Sequence, residues 1–179
     1  MKNKIDYIPG QFDEEEKLAL EQFEKFASYF PKIYTSWTGM ASGSRVDVMS
    51  ENITGGCASV ELKKRSEDAE RFGDLFIEPD KYNALKNIWE DRGYFPIYIN
   101  FIGDYKNVYV YYIAEVERYT LHRNMLIRHQ NGEYSREDRY GLYWEDAHHF
   151  IYNEETDSYN EIKPKNIKPN EKKAAKLHN

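Results

Sequence analysis

Glu61 and Lys63 stand two apart in Ser59-Val60-Glu61-Leu62-Lys63-Lys64-Arg65, and Asp47 lies 14 residues before Glu61 in a segment of similar alternation. In a strand, residues two apart share a face, about 7 Å apart along the backbone, so Glu61 and Lys63 point one way and Leu62 the other. Val46 and Val48 share one face of the earlier segment and leave Asp47 on the opposite face. If the two strands pair through the turn-rich residues 50–56, one register sets Asp47 beside Glu61. Two carboxylates placed there offer the hard oxygens that Mg²⁺ or Mn²⁺ prefers, leaving coordination positions for water and a phosphate oxygen. A lysine beside them can orient or deprotonate the attacking water and offset charge on the phosphate. These are the parts that phosphodiester hydrolysis needs.

The elements that must position these residues can be read from periodicity. From Asp13 to Phe30, Ala19, Leu20, Phe23, Phe26, Ala27 and Phe30 recur at helical spacing, and Pro31 ends the run. Three strand-like pieces follow, Lys32 to Trp37, Ser44 to Met49 and Cys57 to Lys63, which read as an antiparallel meander. A second helix is expected from Glu78 to Arg92, with Pro79 in its first turn and Gly93 as its stop. Tyr94 to Ile102 and Val108 to Val116 read as an aromatic hairpin, with Pro96 at an edge or near a strand start. The order predicts an α+β domain around a mixed sheet. Beyond Arg118 the pieces are short and ambiguous, and residues 163–179 read as a lysine-rich mobile tail behind a single domain of residues 1–162.

The pattern resembles the PD-(D/E)XK nuclease superfamily, in which an Asp on one strand is followed by (D/E)-x-K on the next inside an αβββαβ core. Residues 13–117 carry the resemblance, and residues 118–162 would be a C-terminal elaboration. It implies a restriction-endonuclease-like fold, α/β sandwich-like, with a mixed central sheet flanked by helices. It further implies that Asp47 and Glu61 bind metal, that the Leu62 carbonyl adds a ligand, and that Lys63 is the catalytic lysine. Val46 stands where the family's name places proline. Many members also carry a glutamate on the first helix near the metal, and Glu16 falls within that helix's apolar arc. Lys81, at the start of the second helix's sheet-facing side, matches a position where related nucleases touch metal-bound water or phosphate. The implied activity is that of a Mg²⁺- or Mn²⁺-dependent endonuclease acting on nucleic acid, with DNA the expected substrate. A homodimer would give one active site per strand, the aromatic hairpin or the region from Tyr140 to Tyr152 supplying its interface.

Each of these residues also has a plainer reading. An E-x-K triplet on a strand is ordinarily a solvated face or a weak cross-strand ion pair. Glu16 belongs to an acidic helix start that complements the dipole, and Lys81 can lay its stem over Tyr82 or Leu85. The competing expectation is a non-catalytic domain of the same fold that binds nucleic acid or protein and has no metal dependence.

Composition narrows the field. With 40% hydrophobic and 16% aromatic residues the 179-residue chain should fold as one core. The single cysteine, Cys57, excludes an internal disulfide framework and reads as a small packing residue. No stretch is apolar enough to span a membrane, and the chain reads as intracellular, cytoplasmic. A net charge of −6 argues against bulk electrostatic capture of nucleic acid, although arginines and histidines gather between Arg118 and Arg139. His148 and His149, adjacent in a strand, would point to opposite faces and so suit no shared metal.

Overall fold

Leu20, Phe23, Phe26 and Ala27 are spaced three, three and one apart, which aligns them along one helical stripe, and all four are buried. The computed structural model describes residues 14–28, 36–40, 46–51, 56–67, 69, 74–128 and 132–162. In chain order the elements are α1 (Glu14–Ser28), β1 (Ser36–Gly39), β2 (Val48–Glu51), β3 (Cys57–Arg65), β4 (Asp74–Ile77), α2 (Pro79–Arg92), β5 (Phe95–Ile102), β6 (Asn107–Tyr112), β7 (Thr120–Arg128), β8 (Tyr134–Tyr143), β9 (His148–Asn153) and β10 (Ser158–Ile162). Pro79 opens α2 with its fixed φ, and Gly93 closes it in the left-handed region at φ 71°, its N–H bonded to the Trp89 carbonyl.

Seven strands form one mixed sheet in the order β1-β2-β3-β5-β6-β9-β10. The β3–β5 pair is parallel and the others are antiparallel. A parallel pair needs a long crossover, and α2 supplies it. The alternation of β3 then divides the interior in two. Val60 and Leu62 join Val48, Ile97, Ile99 and Phe101 against α1. On the other face Tyr98, Ile102 and Tyr111 pack with Tyr82 and Leu85 of α2. The helices therefore flank opposite faces, in the α+β arrangement and αβββαβ order expected of the core.

Phe26 is the keystone of the α1 side, with its ring edge-to-face to Phe101, Phe150 and Tyr159 at centroid distances of 6.5, 5.3 and 5.1 Å. Phe26→Ala is expected to cost about 3–5 kcal/mol through lost transfer energy and the cavity left behind. Urea unfolding reads this directly, and a loss below about 1 kcal/mol would mean that α1 does not seal this core.

Three features depart from the sequence reading. A second, three-stranded sheet in the order β4-β8-β7 lies beside α2 and shares its core through Leu75, Ile77 and Leu142. The region beyond Arg118 thus holds four strands, not disconnected pieces. The aromatic hairpin is also not a free surface: β5 and β6 lie between β3 and β9, with Tyr98, Tyr109 and Tyr111 buried. Both of its edges are already paired, so neither can add a strand from a second copy. Its second strand stops at Tyr112, where Glu115 turns back to bond the Tyr112 carbonyl. The expected first strand falls mostly, the start of the second partly, and the lysine-rich tail wholly outside the described residues. Among the described residues no helix is long and apolar enough to cross a membrane.

Candidate active site

The chemistry-bearing residues meet where β2 begins, β3 runs central in the sheet and α2 begins. Val48 pairs with Val60, and carrying that antiparallel register back one residue sets Asp47 opposite Glu61. The Asp47 N–H bonds the Val60 carbonyl at 3.0 Å, and Asp47 Oδ2 accepts the Leu62 N–H at 2.7 Å. The Leu62 side chain is buried toward α1, so only its backbone can serve the site.

Glu61, Lys63 and Arg65 occupy the other face of β3, in register with Tyr98, Asn100 and Ile102 of β5. Glu61 is 5% exposed. Lys81, in the first turn of α2, donates to Glu61 Oε2 at 3.1 Å. Lys63 turns instead to Glu78, the residue before α2, with Nζ 3.4 Å from Oε1. Arg139 of β8 reaches the same oxygen at 3.4 Å. Below this layer Arg65 donates to Asn100 Oδ1 at 3.2 Å, to the Tyr98 hydroxyl at 2.8 Å and to the Phe76 carbonyl, while the Tyr98 hydroxyl itself donates to Phe76 at 2.7 Å. That network ties the floor of the site to β4.

The electrostatics follow from this placement. Burial, then the neighbouring Asp47 charge, raises the Glu61 carboxyl to about 8 despite the attraction of Lys81. Burial alone would lower Lys81, but Glu61 and Asp47 outweigh it and hold its ammonium above the ordinary lysine range. The Asp47 charge contributes to both shifts, although burial is the larger cause for Glu61. Burial also pushes Glu78 upward, yet Lys63 and Arg139 prevail and keep it below the usual carboxylate range.

Of the residues singled out from sequence, Asp47, Glu61 and Lys81 are brought together, and Lys63 lies in the same cluster but faces Glu78. Glu16 falls within α1, and its side chain lies outside the described residues. Sequence reasoning missed Glu78, read only as the start of a helix, and Arg139, counted only as part of a basic stretch. Within that stretch Arg118 pairs with Asp146 at 3.4 Å and Arg123 with Asp138 at 3.9 Å, while Arg136 donates to the Asn124 carbonyl at 3.2 Å. His148 pairs with Glu161 and His149 with Asn107, so the two rings do turn apart.

Among the described residues no group of three or more His, Cys, Asp and Glu side chains is arranged to hold a metal ion. The carboxylates that the structure sets opposite each other here are two, Asp47 and Glu61. Such a pair suits a hard divalent ion, which keeps several waters and takes few protein ligands. A carboxylate that burial disfavours as an anion is also one that gains from a cation beside it.

No family model and no curated protein matches the chain. Among solved structures it is similar to a Holliday junction resolvase of Archaeoglobus fulgidus, an archaeal hyperthermophile, at 14% sequence identity and a TM-score of 0.41, over 72% of this chain and 80% of that one.

Proposed function

We propose that the protein is a Mg²⁺- or Mn²⁺-dependent endonuclease that hydrolyses phosphodiester bonds in DNA by the PD-(D/E)XK chemistry. The observation that carries this reading is the placement of Asp47 opposite Glu61, with the charge of one raising the carboxyl of the other and Lys81 bonded to the buried member. An ion pair whose only role is structural has no need of a second carboxylate that destabilises the first.

In this reading Asp47, Glu61 and the Leu62 carbonyl hold the cation. When bound, it acidifies a water and draws charge from the scissile phosphate. Leu62 orients Asp47 by giving its N–H to Oδ2. Lys81 shares Glu61 and stands ready to meet a phosphate oxygen. Lys63, 40% exposed at its side chain, is the lysine able to reach the attacking water. The Lys63–Glu78 pair belongs to this cluster, since the Glu78 charge acts on both Glu61 and Lys81. Arg118 and Arg123, held by exposed ion pairs of little energetic value, are free to exchange their partners for backbone phosphates.

The test is cleavage of plasmid, linear, single-stranded and branched DNA with Mg²⁺, with Mn²⁺ and with EDTA. Cutting that requires the metal is the expected result. Binding without cutting, equal with and without EDTA, would leave a non-catalytic nucleic-acid-binding domain.

A pH dependence accompanies the metal. Because the Glu61 carboxyl titrates near 8, a cation must compete with its proton at lower pH. The apparent affinity for Mn²⁺ is expected to fall roughly fiftyfold between pH 8 and pH 6 and to level off above pH 8. Calorimetry in two buffers of different ionisation enthalpy would register the released proton, and an affinity flat over this window would exclude Glu61 as a ligand.

A further inference from the structure

Glu78 has no place in the sequence motif, yet two cations converge on its carboxylate. Ile77 of β4 pairs with Tyr140 of β8, and carrying that register one residue on sets Glu78 opposite Arg139. The Arg139 side chain is only 11% exposed, and its guanidinium bridges Glu78 and Glu137. Arginine is rarely buried without such partners, because an unpaired charge there is strongly destabilising. The Glu78 backbone is fixed as well, its carbonyl taking the Tyr82 N–H at 2.9 Å where α2 begins. Glu78 is thus a rigid acceptor held from both sides. Lys63, on a flexible four-carbon stem that loses rotamer freedom when ordered, ends on that acceptor at 3.4 Å. Lys63 and Arg139 thus meet on one oxygen of Glu78, Oε1, each at 3.4 Å.

We propose that Glu78 is a positioning residue for Lys63, and that Arg139, delivered by the second sheet, holds Glu78 in that role. The proposal rests on the nuclease reading and gives the β4-β8-β7 sheet a task in it. The elaboration beyond the αβββαβ core becomes part of the catalytic machinery, because it fixes where the lysine ammonium stands relative to the carboxylate pair. A misplacement of a reacting group by about 1 Å can cost a hundredfold in rate.

Two readouts on the full chain test this. Trace acylation with acetic anhydride at fixed pH, read by mass spectrometry, measures how firmly each lysine ammonium is held, with Lys86 as the internal standard. Cleavage kinetics measure the consequence. In Glu78→Gln, which keeps the side-chain shape, Lys63 labelling is expected to rise several-fold relative to Lys86, and kcat to fall roughly tenfold to a hundredfold with KM little changed. Arg139→Lys, which keeps the charge but loses the planar fork, should move both readouts the same way by less. Melting curves for both variants separate this from general loosening, which would raise labelling across many lysines. Unchanged Lys63 labelling in Glu78→Gln would overturn the proposal, as would raised labelling with unchanged kcat. If the wild type cuts no substrate, the nuclease reading falls and the catalytic role of Glu78 falls with it, while the labelling still decides whether the Lys63–Glu78 pair exists.

Discussion

Glu61→Gln is expected to lower metal-dependent cleavage on the order of 10³-fold and, at pH 8.5, to raise the melting temperature. The two effects have opposite signs for one reason. Glu61 is buried beside Asp47, so its ionised form is what the fold pays for and what a cation needs. Its folded pKa of about 8 lies above the 4.5 of a free glutamate side chain, so the folded state holds the proton more tightly than the unfolded chain. The stability that this proton confers is fully present below pH 4.5 and is lost as pH rises through about 8. Glutamine carries no such loss. Wild type and variant should therefore be similarly stable near pH 4.5 and diverge above it, with the variant more stable by on the order of a few kcal/mol at pH 8.5 and melting higher. Thermal scans across pH beside the cleavage assay check both halves. A variant that melts lower at pH 8.5 would mean that the Lys81 ion pair, not burial, dominates the energetics of Glu61.

The half of the site that lies on β3 was legible because strand alternation is a local signal. Val60 and Leu62 against α1, with Glu61 and Lys63 on the α2 side, follow from a period of two. The helices were legible in the same way, from the stripe of Leu20, Phe23, Phe26 and Ala27 and from the Pro79 and Gly93 boundaries. The second sheet was not. β4 has four residues, too few to establish a period, and its partner β8 lies more than sixty residues on. The outer half of β8, from Tyr134 to Asp138, alternates exposed with half-buried polar residues, because β7 alone pairs with it there. No apolar rhythm marks such a strand. The Glu78–Arg139 contact depends on that pairing, so it too left no local trace. The placement of Asp47 opposite Glu61 was legible only because few residues separate the two segments in sequence, which limited the registers to consider.

The two lysines should separate when each is removed. Lys63→Ala is expected to lower cleavage by about 10²- to 10⁴-fold, the range associated with losing a positioned proton-transfer or charge-stabilising group, while leaving Mn²⁺ affinity nearly unchanged. Its ammonium contacts Glu78, so its loss takes no partner from the carboxylate pair. Lys81→Ala acts on the pair itself. Lys81 donates to Glu61 Oε2 at 3.1 Å and is held charged by Glu61 and Asp47, so it competes with any cation for the same negative charge. Removing it is expected to tighten Mn²⁺ binding several-fold only well above pH 8, once Glu61 without its Lys81 partner has ionised, and to slow cleavage by a smaller factor than Lys63→Ala. Below pH 8 the gain should shrink, because without the ammonium Glu61 keeps its proton more firmly. Calorimetry with Mn²⁺ and single-turnover cleavage on the same preparations give both quantities. If Lys81→Ala is the slower enzyme and Lys63→Ala cuts nearly as well as wild type, the catalytic lysine is the one carried by α2, and Lys63 is a structural partner of Glu78.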